Sequence, residues 1–330
     1  MKCVSPINIS KKVGGRLVSC GQCYGCRFRK KRDWAIRLTH ESEMHEDKCF
    51  LTLTFNDENL PKNQSLDKKF ISDFIKCLRE DMRRKKLPKI RYFLCGEYGS
   101  ICNLCGNGKK HCKCKNNTYT LGRPHYHAII FGYDFADRNK PIAKTPSGHT
   151  LYEGNELLNS NWKYGFSTVG SVTIDSCRYV SHYILKKLDL QNKQEFEKEN
   201  PGKIMEFSTM SKGRGENKGI GYRYYSKHLS PTYKEGYGLE FRDKTMYKDI
   251  PVSLPKYYRS LNRNIRKFLP KKLLNQQLEI RENNIEYNKK IYKKSQKTKR
   301  RAYDIFWSWM KQIELNGKAK EQLYVREEKL

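Results

Sequence analysis

Several short segments of the chain predict β-strands, and the clearest of them alternates apolar and polar residues. In residues 49–55, Leu51, Leu53 and Phe55 alternate with Thr52 and Thr54. Successive side chains of a strand point to opposite faces, so this pattern is typical of a half-buried strand. Further strands are predicted at 91–97, 125–131 and near 166–174, and a polar loop follows the third strand to about residue 154.

Two segments have the three- to four-residue apolar spacing of helices that cover a sheet. The first covers residues 65–86, with Ser65 as its predicted cap and Asp67 in its first turn. The second covers residues 177–190, with Ser176 as cap. A further helix is predicted from about residue 32. The apolar stripe of the first segment comprises Phe70, Ile71, Phe74, Ile75, Leu78 and Met82.

The order of these elements predicts an α+β fold in which an antiparallel sheet is covered by helices. Three regions are expected. Residues 1–45 form a cysteine-rich segment and a helix, and residues 46–250 form the sheet domain with a Gly-, Cys- and Lys-rich insertion at 99–122. Residues 251–330 form a basic, largely helical C-terminal region.

The charge of the chain favours an anionic partner. Lys and Arg number 67 against 35 acidic residues, a formal net charge of +32. This excess suits binding of a phosphate backbone and argues against a membrane enzyme or a small-metabolite enzyme. A basic packaging or ribosomal protein is the alternative. Because no stretch is apolar enough for a membrane span or a signal peptide, we expect no membrane association and a cytoplasmic location, where cysteines stay reduced.

Two histidines on one predicted strand form a candidate site for a divalent cation. His125 and His127 flank Tyr126, so both imidazoles lie on one face of the strand. Glu97, which ends the preceding predicted strand, is the candidate third ligand. A carboxylate with imidazoles suits Mg²⁺ or Mn²⁺ in a nuclease, although imidazole also accepts Zn²⁺. Two surface histidines and an exposed loop carboxylate are the alternative.

Two groups of cysteines have the spacing of metal ligands. The insertion carries a C-x₂-C-x₆-C-x-C pattern that predicts a structural Zn²⁺ site, with His111 as an alternative fourth ligand; its cysteines are Cys102, Cys105, Cys112 and Cys114. A second possible Zn²⁺ site uses a C-x₂-C-x₂-C pattern that also occurs in iron–sulfur proteins; its cysteines are Cys3, Cys20, Cys23 and Cys26. The remaining thiols, predicted to lie in the core, are Cys49, Cys77, Cys95 and Cys177.

A pair of tyrosines on the second predicted helix is a candidate nucleophile. Tyr179 and Tyr183 are four residues apart and therefore share one helix face, which Lys186 can also reach. A phenol needs a stabilised phenolate to act as a nucleophile, and a metal-polarised phosphate or a lysine can help. Two tyrosines at the rim of the core are the structural alternative.

Basic residues also accompany aromatic ones between the predicted sheet domain and the C-terminal region. Tyr222, Tyr224 and Tyr225 lie among Lys212, Arg214, Lys218 and Arg223. This mixture predicts a track for unpaired nucleic acid, with the rings as stacking platforms; a solvated loop is the alternative. The basic C-terminal helices are predicted to contact phosphates.

In combination these motifs resemble the HUH endonucleases with two tyrosines, and in particular the replication initiation proteins of gokushovirus-type microviruses. The resemblance covers about residues 1–230. It rests on the Thr-bearing strand, His125-Tyr-His127, Tyr179-x₃-Tyr183-x₂-Lys186, the N-terminal cysteines, and Gly219-Ile-Gly221 followed by tyrosines. The insertion at 99–122 departs from the family pattern.

The resemblance implies a ferredoxin-like HUH palm with the histidines on a central strand. It also implies that one tyrosine attacks single-stranded DNA at a phage replication origin, leaving a 5′-phosphotyrosine and a 3′-OH for a host polymerase, with a host replication helicase as a further partner. The second tyrosine would cleave after a round of rolling-circle synthesis, and rejoining would release a circle. Alternatives are an HUH transposase or relaxase, and a non-catalytic basic zinc protein that binds single-stranded DNA.

Overall fold

The computed structural model describes residues 3, 6–8, 17–102, 105–107, 114, 122–145, 147–186, 190–213, 218–234, 238–240, 244–247 and 250–266. In chain order the elements are β1 (Ile7–Asn8), β2 (Leu17–Val18), α1 (Tyr24–Ser42), β3 (Lys48–Phe55), α2 (Lys68–Arg84), β4 (Arg91–Tyr98), β5 (Pro124–Phe131), β6 (Ala136–Lys144), β7 (Thr150–Gly154), α3 (Glu156–Asn161), β8 (Gly165–Gly170), α4 (Ile174–Lys186), α5 (Leu190–Glu199), β9 (Phe207–Met210), α6 (Tyr222–Tyr224), β10 (Thr232–Lys234), β11 (Gly238–Glu240), β12 (Lys244–Tyr247), β13 (Ile250–Ser253) and α7 (Lys256–Arg266). A π-helical turn covers Tyr225–Leu229.

The chain divides into two compact units. Residues 34–224 form what we call the sheet unit, and residues 1–33 together with 225–330 form what we call the terminal unit. The predicted boundaries near residues 45 and 250 remain predictions.

The sheet unit contains a seven-stranded antiparallel sheet in the order β6-β7-β8-β3-β5-β4-β9. The strands β3, β4 and β5, which the sequence predicts, lie next to one another near its centre. The expected polar loop up to residue 154 is wrong, because β6 and β7 form a bulged antiparallel pair there. The α+β class and the helix-covered antiparallel sheet are confirmed.

One face of the sheet packs against α2 and α3. The alternation in β3 places Leu51, Leu53 and Phe55 in this core, as predicted. The buried stripe of α2 comprises Ile71, Phe74, Ile75, Leu78 and Met82. The predicted cap is wrong: Asp67 caps α2 by accepting a hydrogen bond from the Lys69 amide at 2.7 Å, whereas the buried Ser65 hydroxyl donates to the carbonyl of Leu66.

The opposite face of the sheet carries a second apolar cluster, to which α1 and α4 contribute Leu38, Cys177 and Val180. Thr173, rather than the predicted Ser176, precedes and caps α4, because the Ser176 amide donates to the Thr173 hydroxyl at 3.1 Å. Ser176 completes a reciprocal cap by accepting from the Thr173 amide at 2.8 Å. Helix α1 begins at Tyr24, earlier than predicted, and Cys77 is exposed rather than in the core.

A buried carboxylate ties α1 to the sheet and to the loop before α6. Glu41 is fully buried and forms an ion pair with Arg91 at 2.6 Å. It also accepts a hydrogen bond from the Gly221 amide at 2.6 Å. Burial opposes ionisation of Glu41, but the His45 hydrogen bond and the Arg91 charge prevail and hold its pKa below the ordinary value.

The terminal unit is organised around short β-pairs and α7. Strands β1 and β2 pair with each other, as do β10 with β11 and β12 with β13. Asp33 accepts a hydrogen bond from the Lys256 amide at 2.8 Å, at the start of α7. Tyr225 stacks on Tyr258, and its hydroxyl donates to Asn262 at 2.5 Å. Across the described parts of both units, we find no helix with the length and apolarity needed to cross a membrane.

Candidate functional site

The register of β4 and β5 brings the three predicted metal ligands together. Glu97 pairs directly with His125, and His127 lies two residues further along the same face of β5. The intervening Tyr126 points to the other face, where it is fully buried in the α2-side core. Its hydroxyl donates to the Asp67 carbonyl at 2.9 Å. The alternation that separates core from site is therefore built into the His-Tyr-His sequence.

Both imidazoles converge on one oxygen of Glu97. His127 Nε2 lies 2.5 Å and His125 Nε2 lies 3.1 Å from Glu97 Oε1. Glu97 is only 3% exposed, so it is not the surface carboxylate of the alternative interpretation. Its burial opposes ionisation, yet the hydrogen bonds and charges of the two histidines hold its pKa well below the usual range. Burial likewise opposes protonation of His125, but Glu97 raises the pKa of that imidazole.

Contacts at the other ring nitrogens orient the two histidines. His125 Nδ1 lies 3.1 Å from the Arg123 carbonyl oxygen, which can only accept a hydrogen bond, so Nδ1 carries the hydrogen. His127 Nδ1 lies 2.9 Å from the Thr52 hydroxyl, because Thr52 and His127 are paired between β3 and β5. Both Nε2 atoms are thus directed at Glu97, as in sites where outer contacts orient metal ligands. The sequence analysis missed this role of Thr52.

Tyr179 lies at the same site. Its hydroxyl donates to Glu97 Oε1 at 2.7 Å and is 3.5 Å from His127 Nε2. Its ring meets His127 edge-on at 5.3 Å. Helix α4 holds Tyr179 there because its neighbours Cys177 and Val180 are buried in the α4-side cluster. The other predicted residues, Tyr183 and Lys186, belong to the backbone of α4, but their side chains lie outside the described residues.

The chemistry of this cluster fits a divalent cation. One ligand atom from each of Glu97, His125 and His127 lies within 4.8 Å of the others. A carboxylate held ionised, beside two imidazoles whose Nε2 atoms face it, provides one negative charge and two neutral donors. Protons shared between the carboxylate and the imidazoles can be exchanged for a cation, since metal binding requires deprotonated ligands.

The N-terminal cysteines form a second cluster, within the terminal unit. Cys3 Sγ lies 3.5 Å from Cys20 Sγ and 3.8 Å from Cys23 Sγ, and Cys20 Sγ lies 4.0 Å from Cys26 Sγ. Burial raises the pKa of the Cys26 thiol to about 12. Four sulfurs at these separations could hold a metal such as zinc, which would convert the thiols to thiolates.

The insertion contains a smaller described cluster. Cys102, Cys105 and Cys114 lie close enough to share a metal, with Cys102 Sγ and Cys114 Sγ 3.7 Å apart. Cys112 and the alternative ligand His111 lie outside the described residues.

We expect the purified chain to contain zinc at both cysteine clusters. Replacing Cys20 and Cys23 with serine should remove about one of two zinc ions per chain, since thiolate ligands are lost from one site. Metal analysis by mass spectrometry measures this. The control is Cys77→Ser, because Cys77 is exposed on α2 and belongs to neither cluster. A zinc-free wild-type chain, or visible absorbance from an iron–sulfur cluster, would contradict the assignment.

A basic cleft of about 490 Å³ lies in the sheet unit, between the end of α2, the start of β4 and the segment after β9. Its Lys and Arg residues are Arg79, Arg83, Lys86, Lys89, Arg91, Lys212 and Arg223. Among the residues that the structure describes, no carboxylate belongs to the lining, although Glu80 and Glu41 pair with Arg83 and Arg91 from outside it.

The predicted basic and aromatic track is only partly supported. Lys212 and Arg223 line the cleft, while Lys218 lies over the ring of Tyr222 at 4.6 Å. Tyr225 is 3% exposed, so it cannot serve as a stacking platform for a base. Arg214 and the basic region beyond residue 266 lie outside the described residues.

Comparison with known proteins places the chain among phage proteins. Residues 48–188, from β3 into the segment after α4, match the family model of replication-associated proteins of the ORF2 group. The replication-associated protein VP4 of Bdellovibrio phage phiMH2K is 32% identical over 256 residues, which cover 72% of this chain and 71% of the relative. The chain belongs to the phage replication-associated protein family. The matched segment contains Glu97, both histidines and Tyr179.

A second relative within this family is the replication-associated protein ORF4 of Chlamydia phage 1. It is 28% identical over 170 residues, which cover 51% of this chain and 38% of the relative. No solved structure is significantly similar to the chain.

Proposed function

We propose that this replication-associated protein is an HUH endonuclease that nicks single-stranded phage DNA at the replication origin and later rejoins it. The observation that carries the proposal is the position of the Tyr179 hydroxyl. It lies 2.7 Å from the Glu97 oxygen on which both histidines converge. A potential nucleophile thus adjoins a cation-binding cluster, in a basic chain of a phage replication family.

Glu97, His125 and His127 are the proposed ligands of a catalytic Mg²⁺ or Mn²⁺. When bound, this cation would polarise the scissile phosphate and stabilise the charge that develops on its oxygens. Thr52 and the Arg123 carbonyl keep the two imidazoles directed at the ligand position, through their contacts to the Nδ1 atoms. Zn²⁺ at the cysteine clusters has a structural role in this proposal.

Tyr179 supplies the attacking oxygen in the proposed reaction. Its hydroxyl loses its proton and the phenolate oxygen bonds to the phosphorus. The bond from phosphorus to the 3′ oxygen breaks, and that oxygen takes up a proton. The products are a 5′-phosphotyrosine and a free 3′-OH for a host polymerase, with a host helicase opening the duplex. Lys186 is proposed to stabilise the phenolate, since a positive charge favours the ionised phenol.

Tyr183 is the proposed second nucleophile. Two tyrosines one helical turn apart can use one cation alternately. In the proposed cycle the second tyrosine cuts the regenerated origin after a round of rolling-circle synthesis. The 3′-OH released by that cut then attacks the first phosphotyrosine, which restores a phosphodiester, frees the first tyrosine and closes a circle.

The ends of the nicked DNA test the proposed function. The chain is incubated with circular single-stranded DNA of its phage and with Mg²⁺ or Mn²⁺. We expect a linear product whose 5′ end carries protein and whose 3′ end is extended by a DNA polymerase without further treatment. EDTA should prevent the reaction. A product with a free 5′-phosphate and no attached protein would contradict the proposal, since it indicates hydrolysis by water.

The basic cleft is proposed to hold the phosphate backbone of the DNA. Replacing Lys86, Lys89 and Lys212 with alanine should weaken binding to a labelled oligothymidylate and flatten its salt dependence. Each lost phosphate contact lowers the slope of log affinity against log salt by about 0.7 for a single strand. Fluorescence anisotropy over a range of salt concentrations measures both effects.

The matched control for the cleft removes the same number of charges elsewhere on the surface of the sheet unit. Its substitutions to alanine are at exposed positions outside the cleft, Lys62, Lys140 and Lys144. Equal losses in the two triple variants would show that net charge, and not the cleft, determines binding.

A further inference from the structure

Phe166 is an exposed aromatic side chain on the face of the sheet that carries the candidate metal site. It is 68% exposed, the highest value among the described large hydrophobic residues with notable exposure. Single exposed apolar residues are common on protein surfaces, so exposure by itself assigns no role. Its position relative to the site carries the inference.

The strand register puts Phe166 in one row with two of the site residues. Phe166 on β8 pairs with Thr54 on β3, and Thr54 pairs with His125 on β5. His125 in turn pairs with Glu97 on β4. Side chains that are directly opposite in paired strands lie on the same face of the sheet. Phe166 and His125 therefore share a face, with one strand between them.

The burial of its neighbours confirms this orientation. Ser167 and Val169 are buried, and Val169 belongs to the core under α2 and α3. Because successive side chains alternate, Phe166 points to the opposite face, toward the side of His125 and Glu97. Neighbouring strands are about 4.8 Å apart, so the Phe166 and His125 backbones are separated by about 10 Å.

We propose that Phe166 is a stacking platform for an unpaired base of the DNA that occupies the site. An exposed ring about 10 Å from the ligand histidine is within reach of nucleotides near a phosphate bound there, since the phosphates of one duplex strand are about 3.4 Å apart along the helix axis. Aromatic rings bind unpaired bases of any sequence through their π faces. This inference rests on the proposed function, because it takes single-stranded DNA as the substrate.

A nearby cation is suited to the backbone of the same strand. Arg123, two residues before His125, is 44% exposed at its side chain. It donates to the Phe55 carbonyl at 3.0 Å, and Phe55 follows Thr54 on β3. The Arg123 guanidinium also pairs with Asp57, whose side chain is 91% exposed. A guanidinium at this end of β3 and β5 and a ring on β8 provide the two contacts that single-stranded DNA uses, to phosphate and to base.

The test compares binding of an oligothymidylate with binding of an abasic oligonucleotide of equal length, both in EDTA. We expect Phe166→Ala to weaken oligothymidylate binding about tenfold, the scale of one base–aromatic stack. Affinity for the abasic strand should not change, since it has no base to stack. Phe166→Leu should behave as alanine, and Phe166→Trp should retain the wild-type affinity. Ile142→Ala, a truncation at another exposed apolar residue of the sheet, is the control.

Two results would overturn the inference. Phe166→Ala could bind the oligothymidylate as tightly as the wild type, or it could lose equal affinity for both oligonucleotides. The nicking reaction is measured separately on the same variants. A wild-type chain that nicks DNA but shows no base-dependent effect of Phe166 contradicts only the stacking role. A chain that binds through Phe166 but never forms a protein–DNA product contradicts only the proposed nicking function.

Discussion

Replacing His127 with alanine is expected to lower the rate of metal-dependent nicking by about a thousandfold. A catalytic cation contributes several kcal/mol of transition-state stabilisation, and each 1.4 kcal/mol corresponds to a factor of about ten. His127 contacts Glu97 Oε1 directly and lies 3.5 Å from the Tyr179 hydroxyl. Its loss would therefore remove a proposed ligand and a neighbour of the nucleophile together. Single-turnover nicking of phage single-stranded DNA in Mn²⁺ measures the effect.

Two further variants make the histidine prediction specific. Thr52→Val removes the hydroxyl beside His127 Nδ1 but keeps a similar volume, and an intermediate loss of about 10- to 100-fold is expected for an orienting contact. His149→Ala is the control, because His149 is exposed at the turn between β6 and β7. If His127→Ala nicks as fast as His149→Ala, the proposed metal cluster has no role in the reaction.

Replacing both Tyr179 and Tyr183 with phenylalanine is expected to abolish nicking, reducing the rate by several orders of magnitude. Removal of a nucleophile costs far more than removal of a contact, and residues that act as one unit have non-additive effects. Phenylalanine keeps the Tyr179 ring beside His127 and Phe50 and removes only the hydroxyl. Gel analysis of nicked and circular products measures the result.

Single tyrosine variants separate starting from finishing. Tyr179→Phe or Tyr183→Phe alone is expected to retain some nicking through the other hydroxyl but to lose release of closed circles, which needs both in the proposed cycle. Tyr152→Phe is the control, since this tyrosine is on β7 and contacts Arg138. Full circle production by either single variant would contradict the two-nucleophile cycle.

The strands that build the centre of the sheet could be predicted because one face of each is buried. In β3 the buried residues alternate along the whole strand, so the sequence shows the two-residue period directly. Strands β6 and β7 were missed for the opposite reason. Residues 136–144 form an exposed edge strand whose pattern is polar and interrupted by bulges, so no apolar period marks it.

The helix caps show a second limit of the sequence. Ser65 and Asp67 are both good cap residues, and so are Thr173 and Ser176. The choice between them depends on tertiary contacts. Ser65 is buried and accepts a hydrogen bond from the Ile204 amide, which leaves the capping position to Asp67.

The candidate site could be predicted as far as local periodicity extends. The spacing of His125 and His127 places both on one face of any strand, and the end of the preceding strand suggested Glu97. The contact of Thr52 with His127 depends on the register between β3 and β5, which a single sequence does not specify. The contact of Tyr179 with Glu97 depends on how α4 packs on the sheet, through residues such as Val180.

Covalent attachment of a tyrosine of α4 to the DNA is the central step of the proposed reaction. The most direct measurement is peptide mass spectrometry of the wild-type chain after reaction with phage single-stranded DNA in Mn²⁺ and digestion by a nuclease. We predict a nucleotide mass on the peptide that contains Tyr179 and Tyr183, located on one of these two residues. Nicked DNA without any protein adduct, or an adduct on a residue outside α4, would contradict the proposed reaction.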